Sequence, residues 1–216
     1  VAGITDDNLL FLTELPGHPL SKALFELGNP CTAESLVGLL DQLPPQVCDL
    51  PRRSSWSDSV DHYCRMVAAA MPDQQARLDR MARIISQGLM GVPQGNEPTH
   101  GDFHEGQIHV WNGQVCGILD VDTIGPGRRA DDLACLVAHL STVQHMNAVQ
   151  ADRVRQILAA WVPVFDSRVD PVELRLRSAA VAISLATGPY RSQEANWGPE
   201  TLSIIDAAEA LVNQVA

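Results

Sequence analysis

The chain has 216 residues, of which 45% are apolar and 19% charged, a balance that suits one globular domain or lobe and excludes a disordered tail. Its 26 acidic and 15 basic residues give a net charge of −11 without a basic stripe, which excludes nucleic acid as the expected partner. The apolar stretches are too short for a membrane span, and the scattered cysteines lack a CxxC pair, so we expect a cytoplasmic protein with reduced thiols.

The first 20 residues are predicted to form a strand and a connector. The mostly apolar residues 9–15 predict the strand, and the two prolines and the glycine within 16–19 favour a turn instead of regular structure. The first residue is Val1, and the sequence soon reads like the middle of a strand, so we expect the chain to be a fragment of a longer protein.

Helical periodicity dominates the rest of the chain. Thr32 is a candidate N-cap for a helix over 33–43, which two prolines end, and Asp73 is a candidate N-cap for a helix that runs to 89. Further helices are predicted over 57–71, 128–140, 148–164, 172–187 and 201–215.

The periodicity changes from helical to alternating in the middle of the chain, which predicts a β-hairpin. Residues 107–111 and 114–120 alternate in polarity, and Asn112-Gly113 between them is the strongest short hairpin signal. The expected fold class is therefore α+β and mostly helical, with one strand at the start and one central hairpin.

A dense group of polar residues surrounds this hairpin. The preceding loop contains Asp102, the first strand begins at Gln107, and the second strand ends at Asp120. Because a hairpin returns the chain close to its start, we expect these three side chains to converge. Two carboxylates and one carboxamide oxygen would form a hard-cation site suited to Mg²⁺.

Three segments carry a resemblance to a known family: LTELPGHPL at 12–20, HGDFHEGQ at 100–107, and ILDVD at 118–122 with the DLA that begins at Asp132. They resemble the hinge, the catalytic loop and the metal-binding segment of the aminoglycoside phosphotransferases and choline-kinase-like proteins. The resemblance implies a protein-kinase-like C-terminal lobe, with a hinge strand and connector at 1–20 and a helical catalytic and acceptor-binding lobe at 21–216. The small nucleotide lobe would lie before residue 1.

The resemblance also implies a role for each candidate residue. Asp102 is expected to be the catalytic carboxylate, Gln107 and Asp120 the metal ligands, and His100 and Asp132 the supports of the loop. Expected nucleotide contacts are Thr13, Glu14, Leu15, His109 and Leu119. The implied cofactors are Mg²⁺ and ATP, with GTP as the alternative nucleotide. The implied acceptor is a hydroxyl of a sugar, an amino sugar or an aminoglycoside-like antibiotic.

Two of these positions depart from the family pattern, and the acceptor site is less defined. Gln107 stands where the family usually has Asn, and His109 where a bulky apolar residue usually lies under the adenine.

In the segment 188–197, Trp197 is able to stack on a sugar and Glu194 to bind an amine or hydroxyl. The alternative is that this segment only packs the junction between two helices.

Two other functions fit the same sequence. A divalent-metal hydrolase would use His100, Asp102, His104 and Asp120 without a nucleotide, and a related zinc site would replace Asp120 by His109. A degenerate lobe retained as a binding module would explain the two departures.

The kinase interpretation predicts that these 216 residues alone fold but transfer no phosphate, because half a cleft leaves the triphosphate in water. The oligomeric state is not indicated.

Overall fold

The computed structural model describes residues 3–7, 9–143 and 146–215, which form a mostly helical α+β structure. The helices are α1 (Leu20–Ala23), α2 (Ala33–Asp41), α3 (Val60–Ala70), α4 (Gln75–Gly88), α5 (Arg129–Ser141), α6 (Ala148–Asp166), α7 (Pro171–Leu185), α8 (Gly188–Arg191) and α9 (Trp197–Val212). The strands are β1 (Gly3–Ile4), β2 (Leu10–Phe11), β3 (His18–Pro19), β4 (Glu97–Thr99), β5 (Ile108–Trp111), β6 (Gln114–Ile118) and β7 (Gly125–Gly127). The fold class predicted from the sequence is confirmed.

Helix α7 lies at the centre of the helical core. It packs against α5 and α9, and also against α3 and α4. Every residue from 176 to 184 is buried, so the helix is enclosed on all sides. Its small side chains, such as Ala179 and Ala182, let the neighbouring helices approach closely.

The central hairpin forms where the sequence predicts it. Strands β5 and β6 pair antiparallel, and the turn residues Asn112 and Gly113 both have positive φ, 51° and 72°. This is the backbone conformation that an Asn-Gly hairpin turn needs. The strand order β3-β5-β6 shows that a third strand joins the hairpin at one edge.

That third strand corrects the prediction for the N-terminal segment. The turn expected over 16–19 contains the short strand His18–Pro19, which pairs with Val110 and His109. A proline is tolerated there because β3 is an edge strand, so its missing N–H breaks no ladder. Among the described residues, the strand expected over 9–15 is observed as Leu10–Phe11, which pairs antiparallel with Gly3–Ile4.

The two-stranded sheet formed by β4 and β7 was not predicted. Glu97–Thr99 pairs antiparallel with Gly125–Gly127, in two segments for which the sequence analysis gave no strand. Pro98 and the Gly-Pro-Gly sequence have poor strand propensity, so only the tertiary contact between the two segments reveals the pair. This sheet positions the start of the loop 100–107, because Thr99, the last residue of β4, directly precedes that loop.

The helix caps agree with the sequence in one case and not in the other. The Thr32 side chain accepts a hydrogen bond from the Ser35 N–H at 3.2 Å, which confirms this N-cap. The prediction for Asp73 is wrong, because this residue lies inside the short 3₁₀ helix Pro72–Gln74 and Gln74 precedes α4 instead.

Replacing Thr32 by Ala should lower the free energy of unfolding by about 1 kcal/mol, the usual cost of losing an N-cap. Urea denaturation of the two proteins measures the difference. Thr32→Ser keeps the hydroxyl and should retain most of the stability, and an equal loss in both variants would contradict the capping explanation.

All five cysteines are free thiols, and Cys31, Cys64 and Cys135 are buried.

Across the described residues, none of the helices has both the length and the apolar character that crossing a membrane requires.

Candidate active site

The loop 100–107, called the catalytic loop after the role that the sequence predicts for it, is held by a buried carboxylate on α5. Asp132 accepts hydrogen bonds from the backbone N–H groups of His100 and Gly101 at 2.9 and 2.8 Å, one on each oxygen. Complete burial raises the pKa of Asp132 to about 6, whereas the two N–H donors act in the opposite direction. The α5 helix thus fixes the backbone of the loop directly before Asp102.

His100 ties the loop to the end of the hairpin. Its ring is fully buried, with Nε2 2.9 Å from the Leu119 carbonyl and Nδ1 3.3 Å from the Asp102 N–H. These partners fit a ring that donates from Nε2 and accepts at Nδ1. The Thr123 hydroxyl also donates to the His100 carbonyl at 2.7 Å. Both ring nitrogens are therefore used inside the protein.

The hairpin brings Gln107 and Asp120 together. The Gln107 Nε2 atom lies 3.1 Å from Asp120 Oδ2, and the Leu119 N–H donates to the Gln107 carbonyl at 2.8 Å. Asp120 has a left-handed backbone with φ 55°, a conformation that Asp adopts more readily than most residues. The convergence of these two side chains expected from the hairpin is observed.

Asp102 lies beside Cys135, to which the sequence analysis gave no role, and beside His104, which it considered only for the hydrolase and zinc alternatives. Its Oδ1 is 3.8 Å from the Cys135 thiol, and its Oδ2 is 3.8 Å from His104 Nε2. His139 lies one helical turn after Cys135 and stacks its ring on His104. The i, i+4 spacing of Cys135 and His139 was the available signal, but it does not indicate which part of the fold this helix face meets.

Burial controls the charge of this neighbourhood. It raises the pKa of Glu105, and together with the nearby His104 it lowers the pKa of His139 to about 3, so the His139 ring is neutral at neutral pH. Burial beside Asp102 and Asp132 also raises the pKa of the Cys135 thiol well above its usual range, so the thiol stays protonated.

Two of the residues expected at the nucleotide, Leu15 and His109, lie on the same face of the hairpin. The Leu15 side chain covers Gly117, where a Cβ atom would come within 2.6 Å of it. His109 pairs with Gly117 across the two strands, so both face the same side of the sheet as Leu15. Thr13 and Glu14 are exposed, and so is Leu119 next to Asp120. Their nucleotide contacts stay predictions.

A cavity of about 280 Å³ adjoins the catalytic loop. Gly101 and Thr123 line it, and Trp56 and Tyr63 contribute aromatic side chains to the lining. Gly101 has φ 85°, and a Cβ atom there would lie 2.6 Å from the Thr123 carbonyl oxygen, so only glycine fits. The sequence analysis did not identify this cavity.

The segment expected at the acceptor site packs on itself. Tyr190 and Trp197 meet edge to face with ring centroids 5.1 Å apart, and the backbone N–H of Trp197 donates to the backbone carbonyl of Glu194. This contact is the helix-junction packing that was one of the two alternatives. A role of Glu194 or Trp197 in acceptor binding stays a prediction.

The structure does not assemble the hydrolase or zinc set considered above. Among the described residues, the groupings of three side chains able to share a metal ion are Asp102, Cys135 and His139, and His104, Glu105 and His139. His100, His109 and Asp120 belong to neither grouping.

Solved structures of kinases with small-molecule acceptors have a similar fold. The choline/ethanolamine kinase family protein from Mesorhizobium loti aligns with a TM-score of 0.59 and 13% identity, over 99% of this chain and 77% of that chain. A thermostable mutant of aminoglycoside phosphotransferase APH(4)-Ia aligns with a TM-score of 0.58 and 14% identity, over 94% and 71%. The ADP-bound aminoglycoside phosphotransferase APH(2'')-Ib aligns with a TM-score of 0.50 and 10% identity, over 93% and 71%.

At these identities the solved structures show the fold alone, and no curated protein matches the chain. The sequence model of the phosphotransferase enzyme family matches residues 3–166, which include the catalytic loop, the hairpin and the start of the helical core. This match covers most of the chain, and the chain therefore belongs to the phosphotransferase enzyme family.

Proposed function

We propose that this chain is the catalytic and acceptor-binding lobe of an ATP-dependent kinase that phosphorylates a hydroxyl group of a small molecule. The observation that carries the proposal is the contact of Gln107 with Asp120 at 3.1 Å, at the base of a hairpin whose preceding loop presents Asp102. Phosphoryl transfer depends mainly on positioning and on charge neutralisation, and these three side chains are the groups that such a reaction needs.

The pair formed by Gln107 and Asp120 fits Mg²⁺. Mg²⁺ prefers oxygen ligands and is usually held by one or two carboxylates together with substrate phosphates and water. Asp120 offers a carboxylate, and Gln107 offers its amide oxygen after rotation of the terminal amide, whose nitrogen faces Asp120 in the structure. When bound, the ion would neutralise charge on the phosphates during transfer.

Asp102 would orient the acceptor hydroxyl and accept its proton as the new bond from the hydroxyl oxygen to the γ-phosphorus forms and the bond from that phosphorus to the departing ADP breaks. The side chain is only partly buried, which leaves it accessible to a substrate. The clamp of Asp132 on the two preceding N–H groups limits the movement of the loop, so the carboxylate is positioned before the substrate arrives. His100 supports the same segment from below.

The cavity next to Gly101 is the proposed acceptor pocket. Its volume of about 280 Å³ suits one sugar ring, and Trp56 and Tyr63 provide the flat apolar faces on which sugar rings stack. An amino sugar or an aminoglycoside would extend from this pocket. Glu194 and Trp197 remain a second candidate contact for a larger acceptor.

The adenine of ATP is proposed to lie along Leu15 and His109, beside the exposed Thr13, Glu14 and Leu119. A histidine ring is able to stack on a base, and GTP is the alternative donor. A phosphate-transfer assay on the full-length protein, with ATP or GTP and a panel of sugars, amino sugars and aminoglycosides, tests the proposal. Release of phosphate to water alone, with no phosphorylated acceptor, would contradict it.

Asp120→Ala should weaken the binding of ATP at least about tenfold in the presence of Mg²⁺, and much less in its absence. The substitution removes a carboxylate that the ion needs, so the cost appears only when the ion is present. Calorimetric titration with and without Mg²⁺ measures both affinities. Asp152→Ala, which removes an exposed carboxylate on α6, is the matched control, and an unchanged Mg²⁺·ATP affinity in Asp120→Ala would contradict the ligand assignment.

A further inference from the structure

A second group of potential metal ligands lies next to Asp102, separate from the pair of Gln107 and Asp120. The rings of His104 and His139 are stacked, with centroids 4.3 Å apart and an angle of 10° between them. Glu105 Oε2 lies 3.8 Å from His104 Nδ1 and 3.6 Å from His139 Nδ1. Three side chains from the catalytic loop and from the last turn of α5 therefore meet at one point.

The central carboxylate oxygen is buried and lacks a hydrogen-bond partner. Glu105 Oε2 is among the buried side-chain atoms without a partner, and the two imidazole nitrogens are too far from it for hydrogen bonds. A buried, unpaired carboxylate oxygen is costly, so its presence calls for a physical explanation. A cation between the three atoms would supply the missing partner.

The spacing suits a tetrahedral transition-metal ion. Ligands at about 2.0–2.2 Å from a tetrahedral centre are about 3.3–3.6 Å apart, close to the separations around Glu105 Oε2. Two imidazoles and a carboxylate are also a common open zinc site. We propose that His104, Glu105 and His139 form a binding site for a divalent ion of the Zn²⁺ class, with the fourth position open to water.

The local structure permits this site once one imidazole turns out of the stack, because a ring nitrogen binds a metal in the plane of its own ring and two rings at 10° to each other do not point at one ion. The three side chains are 20%, 17% and 20% exposed, so an ion from solvent is able to reach them. A Cβ atom on Gly106 would lie 2.8 Å from the His104 ring, so glycine makes room for the ring. The ion has to compete with the Gly106 N–H, which donates to His104 Nδ1 at 3.1 Å. The grouping with Cys135 is less suitable, because that side chain is 1% exposed.

The site would affect Asp102 through the second nitrogen of His104. A metal-bound histidine usually donates its other ring N–H to a carboxylate, and His104 Nε2 is 3.8 Å from Asp102 Oδ2. The bound ion would strengthen this donor and hold Asp102 away from the acceptor hydroxyl. Inhibition of phosphate transfer by Zn²⁺ follows, and this consequence rests on the proposed function.

Titration of the metal-free, full-length protein with Co²⁺ tests the site, because four-coordinate Co²⁺ absorbs visible light strongly. Excess Mg²⁺ is included to fill the site at Gln107 and Asp120. We expect one equivalent of Co²⁺ to bind, Zn²⁺ to displace it, and both Glu105→Gln and His139→Phe to weaken binding at least about tenfold. His62→Ala, which removes an exposed histidine on α3, should bind as the parent does.

Absence of saturable Co²⁺ binding, or binding that both variants retain, overturns the site, as does a thiolate absorption band that disappears in Cys135→Ser. The His139→Phe substitution keeps an aromatic ring against His104, and circular dichroism verifies that each variant is folded. The absorbance does not depend on catalysis. Protein that binds Co²⁺ but phosphorylates no acceptor therefore refutes the proposed function alone, and active protein that binds no Co²⁺ refutes the metal site alone.

Discussion

Replacing Asp102 by Asn should lower kcat by about 10²–10⁴, the usual contribution of a positioned acid or base, while the affinity for Mg²⁺·ATP stays nearly unchanged. The amide has almost the same size as the carboxylate, so the loop held by Asp132 should keep its conformation. It is unable to accept the proton of the acceptor hydroxyl, and it orients that hydroxyl less strongly.

Steady-state kinetics of the full-length protein and calorimetric titration with Mg²⁺·ATP measure the two quantities separately. Asp73→Asn makes the same chemical change at an exposed position in a 3₁₀ helix and should leave both unchanged. If Asp102→Asn retains a kcat within about tenfold of the parent, Asp102 does not take part in the reaction.

Replacing Arg177 by Met should lower the free energy of unfolding by about 3–5 kcal/mol, the typical cost of removing one partner from a buried ion pair. The Arg177 guanidinium donates to Glu173 at 2.7 Å and to Asp131 at 2.6 Å, where α7 meets the start of α5. Glu173 is 4% exposed, so the substitution leaves two carboxylates near each other without this cation. Arg128 still pairs with Glu173, which makes Asp131 the more affected partner.

The loss should depend on pH in a defined direction. Burial raises the pKa of Asp131, and Arg177 opposes that effect, so removing Arg177 raises the pKa further. A carboxyl whose pKa is higher in the folded state stabilises the protein at a pH below its unfolded pKa, near 3.8. This stabilisation is lost as the pH rises through the folded-state pKa. The deficit of Arg177→Met relative to the parent should therefore grow from acidic to neutral pH.

Urea denaturation at several pH values measures this deficit. Arg155→Met is the matched control, because Arg155 and its partner Asp152 are 69% and 59% exposed, and an exposed pair contributes less than about 1 kcal/mol. A deficit for Arg177→Met as small as that of the control, or one that shrinks towards neutral pH, would contradict this explanation.

The sequence alone determined the features that depend on neighbouring residues. The hairpin follows from Asn112-Gly113, which tolerates the positive φ angles of the turn. The N-cap of α2 follows from Thr32, because the capped N–H is only three residues away. The meeting of Gln107 with Asp120 also follows, since the hairpin joins them in a single local unit. The family resemblance added the functional roles.

The tertiary structure decided everything that depends on residues distant in the chain. Pro19 belongs to a strand only because an edge of the hairpin is available to it. The cavity beside Gly101 exists because Trp56 and Tyr63 come from a helical segment some forty residues earlier. Glu105 and His139 are ordinary polar residues in the sequence, and only the packing of α5 beneath the catalytic loop brings them together. Local patterns encode backbone geometry and capping, whereas side-chain clusters between elements arise from long-range packing, which periodicity and motif spacing do not specify.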